Sequence, residues 1–305
     1  MNEVSVLAPA TVSNVVCGFD CLGFALARPF DEMTVRMIDE RAVRIINRDD
    51  YDLPTDPVKN VAGVALTELI NAAKLDHGFE VEITKHIKPG SGIGSSAASS
   101  CGAVVAANRL IGDKFSKLEL INLAMSGEMV ASGSRHADNL APCIYGGFTL
   151  VRSLDPLDIV TLDFPTMFAT VIHPQIEIKT SEARAILPKQ VALSDAVHNW
   201  SNLGSLVAAL AKGDYGLISR SMVDTIVEPV RSSLIPKFDK VKAACLDAGA
   251  LGGGISGSGP SIFMLSETKE TAENVAAAMR NVYETTGIDF YVYVSQIQTH
   301  GVRFV

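Results

Sequence analysis

Residues Pro89, Gly90, Ser91, Gly92, Ile93, Gly94, Ser95, Ser96, Ala97, Ala98 and Ser99 join three alternating glycines to a run of small side chains. Glycines at this spacing let a backbone fold back and aim several N–H groups at one point. The run from Ser95 onward then opens a helix whose first turn carries partial positive charge. Backbone donors plus a helix N-terminus hold phosphate without a basic side chain. A Walker loop needs Gly-Lys-Ser or Gly-Lys-Thr, and neither tripeptide occurs in the chain. Gly252, Gly254 and Gly257 do have the Gly-x-Gly-x-x-Gly spacing, but they lead through Pro260 into the apolar run Ser261–Leu265. That run reads as a strand, whereas a dinucleotide fingerprint opens a helix.

Several charged residues stand where an anionic, metal-bearing or zwitterionic ligand would need them. Leu118, Ile121, Met125 and Glu128 share one helical face, so Glu128 is placed among apolar neighbours. A buried carboxylate needs a partner. Mg²⁺ beside the hydroxyl of Ser96 is one candidate; Arg135, Lys117 or solvent are others. Asp20 is a lone acid between apolar residues in the stretch 8–23, and it calls for a cation. His136, Asp138 and Asn139 crowd the segment Arg135–Asn139, just before the Gly146-Gly147 turn. Arg184 follows Thr180 and Ser181, either of which suits a helix N-cap. Arg231 follows Glu228 and Pro229 at another break. Two arginines are suited to gripping a carboxylate or phosphate through paired hydrogen bonds.

The elements that must carry these groups follow from periodicity. Residues 3–8, 33–38 and 79–84 read as strands, and 8–23 reads as loop. Helices are expected over 61–73, 96–111 and 118–131, with a further strand after Gly146-Gly147. Ser153-Leu154-Asp155-Pro156 suggests a boundary, followed by strands near 158–163 and 168–173. Helices dominate 181–248, including one whose face is Phe238, Val241, Cys245 and Ala248. Strands and helices mix in both halves, so the expected class is α+β, with domains 1–155 and 156–305 and a site between them.

Composition narrows the function. The chain has 305 residues, is 48% apolar and carries a net charge of −8. An acidic chain without a basic stripe argues against a nucleic-acid partner. No apolar run reaches the length that spans a bilayer, and the N-terminus shows no leader pattern, so the expectation is a cytoplasmic protein with no membrane partner. Five scattered cysteines fit reduced thiols.

Four segments together resemble the motifs of the GHMP small-molecule kinases: Pro9–Asp20, Pro89–Ser99, Glu128–Gly147 and Gly254–Pro260. Thr180–Pro188 and Glu228–Arg231 are similar to the homoserine-phosphorylating branch of that family. Asn14-Val15-Val16-Cys17-Gly18 departs from the usual Asn-Leu-Gly-x-Gly, and Ile93 stands where leucine is common. The resemblance implies an N-terminal domain like the second domain of ribosomal protein S5, with a left-handed crossover, and a ferredoxin-like C-terminal domain. It implies ATP as co-substrate, Mg²⁺ and a homodimer. By the same resemblance Pro89–Ser99 wraps the nucleotide phosphates, Thr180 stands beside them, Asn60 lies near the adenine, and Ser96 and Glu128 hold Mg²⁺. Asn14, Asp20, His136, Arg184 and Arg231 hold the amino acid.

L-Homoserine fits these groups: its carboxylate suits Arg184 and Arg231, its ammonium suits Asp20, and Asp138 or Asn139 can orient its hydroxyl. Asp138 is the best candidate base, although phosphoryl transfer of this kind is mostly positioning. The product, O-phospho-L-homoserine, would feed threonine synthesis. A mevalonate or sugar kinase of the same family, or a catalytically silent nucleotide- or metabolite-binding homologue, are the rival readings.

Overall fold

The computed structural model describes residues 2–305. Two sheets form the frame. The first holds β1 (Glu3–Val15), β2 (Gly18–Ile38), β3 (Val43–Asn47), β4 (Gly78–Thr84), β5 (Phe148–Leu154) and β6 (Leu157–Leu162), with the last residues returning as β11 (Arg303–Phe304). Its main path is β11-β1-β2-β4-β3, and β5 pairs with β2 and β6. All pairs are antiparallel except β3–β4, which is joined by α1 (Val61–Ala73). Helices α2 (Ser95–Leu110), α3 (Lys117–Ser132) and α4 (Leu140–Tyr145) complete this half.

The second sheet holds β7 (Phe168–Pro174), β8 (Gly252–Ile255), β9 (Ile262–Ser266) and β10 (Phe290–Gln296) in the order β10-β7-β9-β8. Between β7 and β8 run α5 (Thr180–Ala185), α6 (Leu193–Lys212), α7 (Tyr215–Ser221), α8 (Glu228–Arg231) and α9 (Phe238–Asp247); α10 (Lys269–Tyr283) joins β9 to β10. With every pair antiparallel, this is the β-α-β-β-α-β plan of a ferredoxin-like unit, enlarged between its first two strands. The α+β, two-sheet architecture is therefore the one expected.

Two expectations need correction. The stretch 8–23 is not a loop: β1 continues to Val15, turns at Val16-Cys17 and re-enters β2 at Gly18. Here α2 covers one face and the second half covers the other, so residues on both faces are buried and the alternation that marks a strand disappears. The boundary near 155 cuts the β5–β6 hairpin, whose second strand remains in the first sheet. The change of sheet comes between Leu162 and Phe168. The halves also share one core: Phe24 lies 4.9 Å from Phe148 and 5.7 Å from Phe263 of the other sheet. Burial of such rings makes each half support the other's position. Among the described residues no helix is long and apolar enough to cross a membrane.

Candidate active site

A cavity of about 320 Å³ opens where the two halves meet. The glycine loop forms one wall. Gly90, Gly92 and Gly94 all adopt left-handed backbone, at φ +74°, +78° and +72°. Gly94 is the N-cap of α2 and offers no side chain to the first turn, which leaves that turn's amides to a ligand. The loop from the second sheet locks this wall. The Ser256 hydroxyl donates to the Gly92 carbonyl at 2.7 Å and the Ser261 hydroxyl to the Ser91 carbonyl at 2.6 Å. A Cβ on Gly92 would lie 2.6 Å from the Gly259 carbonyl oxygen, so only glycine fits there.

Of the residues expected at the loop, Pro89, Gly90, Gly92, Gly94, Ser95, Ser96 and Ser99 line the cavity. Ser91, Ile93, Ala97 and Ala98 sit behind it, buried; the last three pack in the hydrophobic core. Asn60 is not among the residues that line the cavity. Its side chain caps α1, accepting from Ala62 and Gly63, and donates to the Pro54 carbonyl at 2.7 Å. The cap thus engages its oxygen, and the bond to Pro54 engages one of its two N–H donors. Val61, next to it in the chain, and Leu53 line the cavity instead.

Glu128 faces the same cavity from α3 and is only 6% exposed. Burial pushes its carboxyl up to about 7, and the nearby Asp138 adds to this, while a hydrogen bond with Ser96 opposes it. Ile121 and Met125 are buried on the same face, but Leu118, one turn out, is partly exposed. Arg135 donates to Asn122 and Met125, and Lys117 lies over the Tyr145 ring. A carboxylate and a hydroxyl bonded to each other at the mouth of an anion loop are a donor set for a hard cation that keeps phosphate or water ligands. Among the described residues no cluster of three or more His, Cys, Asp or Glu could hold a metal on its own.

The opposite wall gathers the charged groups. Arg184 of α5 grips Asp20 of β2 with two N–H donors, at 3.0 and 2.8 Å. It also reaches His136 Nδ1 at 3.2 Å, while Ser134 is 2.7 Å from the other ring nitrogen. Burial, with Arg184 next, lowers the His136 imidazole below its ordinary range. Asn14 shapes the Asp20 turn: its Oδ1 accepts from the Asp20 amide and its Nδ2 donates to the Gly257 carbonyl, both at 2.7 Å. Arg231 is buried, donating to the carbonyls of Ala183 and Gly257, with its guanidinium over Phe19. Burial and then Arg184 pull it down to about 10.

Between the walls sit Asp138 and Asn139. Burial, followed by Asp20, pushes the Asp138 carboxyl up to about 6, and a hydrogen bond from Ser13 opposes the rise. Asn139 has a fixed amide, accepting from Thr11 at 2.8 Å and donating to Ser13 at 2.9 Å. Thr180, at the start of α5, lines the cavity and stands 3.3 Å from Ser258. Sequence reasoning missed Ser13 and Lys85, which also line the cavity. Nothing local in the sequence marks Lys85, whose ionic partner, Asp31, is 54 positions away.

Comparison with known proteins gives the family. Residues 58–147 match the family model of the GHMP kinases N terminal domain and residues 206–285 that of GHMP kinases C terminal. The chain belongs to the GHMP kinase family and is an ATP-dependent small-molecule kinase. Its full-length relatives narrow the branch. A homoserine kinase of Chloroherpeton thalassium is 44% identical, with 100% of each chain covered. One from Thermococcus kodakarensis is 40% identical over 95% of this chain and 97% of its own. The crystal structure of a homoserine kinase from Cytophaga hutchinsonii is 51% identical, covers 100% of this chain and 98% of that one, and superposes with a TM-score of 0.96. The mevalonate kinase of L. major shares the fold at 15% identity and a TM-score of 0.74, with 95% of each chain covered.

Proposed function

We propose that this kinase transfers the γ-phosphoryl group of ATP to the hydroxyl of L-homoserine, giving O-phospho-L-homoserine and ADP. One observation carries the reading: a single cavity has an amide-rich phosphate wall facing a wall that bears Asp20, Arg184 and Arg231. Those three groups suit the two poles of an amino acid. Mevalonate has no ammonium and galactose carries no charge, so either would leave Asp20 unused. The full-length likeness to proteins named homoserine kinase supports the same substrate and a place before threonine in amino-acid synthesis.

In this reading the amides of Gly90–Ser96 hold the nucleotide phosphates, with Thr180 beside them. Ser96 and Glu128 are the residues that would hold Mg²⁺, which when bound neutralises charge on the phosphate oxygens. Arg184 and Arg231 take the substrate carboxylate and Asp20 its ammonium. The Arg184–Asp20 pair is about one-third exposed on each side, so exchanging it for contacts with a zwitterion costs little. His136 steadies Arg184. Asn14 sets the turn that carries Asp20.

The acceptor hydroxyl then lies toward Asp138 and Asn139. Asn139, locked by Thr11 and Ser13, gives a rigid boundary that orients the hydroxyl for in-line attack. The new O–P bond forms as the bond from γ-phosphorus to the β–γ bridging oxygen breaks, and the hydroxyl proton leaves to Asp138 or water. Asp138 can accept it because its carboxyl, at about 6, is mostly ionised at neutral pH. The family resemblance also supports a homodimer working in the cytoplasm, the first of which sedimentation in solution tests.

Phosphorus NMR of a mixture of protein, ATP, Mg²⁺ and L-homoserine tests the reaction. A phosphomonoester signal growing in step with ADP supports it; ATP unchanged over hours, with nucleotide bound, would leave a silent binding protein.

A further inference from the structure

Lys85 and Asp31 form a buried ion pair beneath the glycine loop, with side chains 1% and 0% exposed. Lys85 carries three N–H donors and all are used: on Asp31, on the Ser95 carbonyl at 2.8 Å and on the Ser99 hydroxyl at 2.9 Å. It therefore lines the cavity without a donor to spare for a ligand. Asp31 is equally engaged. Its Oδ1 accepts from the backbone amides of His86 and Ile87 at 2.8 and 2.9 Å. The Ser95 hydroxyl closes the circuit by donating to the Ile87 carbonyl at 2.8 Å. The loop that reverses the chain between Ile87 and Ser95 is thus held at both ends by one pair: Asp31 fixes the entry, Lys85 the exit.

We infer that the Lys85–Asp31 pair is a positioning device that sets the glycine loop's spacing for a triphosphate and directs a positive end at the first turn of α2. The inference rests on the reading that residues 90–96 hold the nucleotide phosphates. Two features separate this role from ordinary stability. A buried ion pair is a poor stabiliser compared with apolar residues of the same size, so folding alone does not call for it. The pair is also polarised. Its cationic end is bonded to the two α2 residues and its anionic end to the backbone of His86 and Ile87 just beyond β4, so its dipole reinforces the positive end of α2. The loop itself offers amides and no cation, so this dipole adds field without adding a side chain to the phosphate path.

Three variants test it, each measured for thermal midpoint, ADP affinity by calorimetry, and KM for ATP and for L-homoserine. Lys85→Met leaves Asp31 uncompensated, and it lowers the midpoint and weakens ADP about tenfold or more. Adding Asp31→Asn removes the stranded charge while keeping an oxygen for the His86 and Ile87 amides. The double variant recovers the midpoint to within about 2–4 °C of the parent, yet its ADP affinity stays about tenfold weak and its KM for L-homoserine moves less than about threefold. Ser99→Ala, which loosens one hold on α2 and spares the pair, raises the ATP KM about threefold at an unchanged midpoint. A double variant that binds ADP like the parent overturns the inference, as does a parallel rise in both KM values. Hydrogen exchange on the unmodified protein separates this from the reading it rests on. ADP that protects no amide within 90–96 defeats the phosphate-loop assignment itself, whatever the variants do.

Discussion

Arg184 and Asp20 meet across the cleft, the guanidinium of α5 giving one donor to each carboxylate oxygen at 2.8 and 3.0 Å. The contact joins the β1–β2 hairpin to the second half of the chain, at the wall where the amino acid is proposed to bind. Both side chains keep about one-third exposure, so solvent screens the pair and its share of stability is small, at most about 1 kcal/mol. Arg184→Ala is therefore expected to leave the thermal midpoint within about 2–4 °C of the parent. It should raise the KM for L-homoserine by about tenfold or more while ATP binding holds. Steady-state kinetics with each substrate varied in turn checks this, and equal losses for both substrates would make the pair architectural.

Asp138 gives the chain a pH signature. Its carboxyl titrates near 6 in the folded protein, above the ordinary 3.8, because burial favours the neutral form. The folded state then holds a proton that the unfolded state has already released between these values, so this group's contribution falls as pH rises from about 4 to 6 and is flat above. The shift corresponds to roughly 2–3 kcal/mol at its limit. Asp138→Asn removes that slope from the ligand-free midpoint measured across pH 4–7. Activity should move the other way in the parent, rising through about 6 as the carboxylate forms.

Gly92 sits where two glycine loops press together. Its φ is +78°, and a Cβ there would stand 2.6 and 2.7 Å from the Gly259 and Ser256 carbonyl oxygens, which leaves no room for a methyl group. Gly92→Ala should cost about 3 kcal/mol and open the loop. Gly90→Ala meets nothing within 4 Å and suffers only its backbone strain at φ +74°, about 1 kcal/mol. Chemical denaturation of the two variants side by side reads the difference; equal losses would mean that the second sheet does not support the loop.

Glu128→Gln keeps the shape of the cavity and removes the charge. Turnover should fall about hundredfold or more with a weakened response to Mg²⁺. The ligand-free protein loses nothing at neutral pH, since a buried carboxylate raised to about 7 is already costly to ionise. Mg²⁺ titrations of initial rate decide the point: an unchanged Mg²⁺ optimum and rate would take Glu128 out of the metal's reach.

Much of the cavity can be read from the chain because its signals are local. Alternating glycines announce the loop, and the spacing of Ile121, Met125 and Glu128 puts the carboxylate inward. What escapes depends on distant partners or on shared signals. The burial of β1 and β2 on both faces erases their alternation, so a hairpin reads like a loop. Asp155-Pro156 is as good a hairpin turn as a linker, and only pairing of β5 with β6 decides between them. Asn60, one residue ahead of an apolar helix, carries a cap signal, and its side chain does cap α1. Lys85 cannot be placed without Asp31, since only the fold brings the two together. Arg231 is legible as a cation but not as the clamp on Ala183 and Gly257.

The most direct test is the acceptor profile. Purified protein with ATP and Mg²⁺ is offered L-homoserine, mevalonate, galactose and two trimmed acceptors, one lacking the ammonium and one lacking the carboxylate. A zwitterion held at both poles gives L-homoserine a kcat/KM exceeding each of the others by about a hundredfold or more, with both trimmed acceptors losing about equally. Faster turnover of mevalonate or galactose, or a trimmed acceptor used as well as L-homoserine, would contradict it.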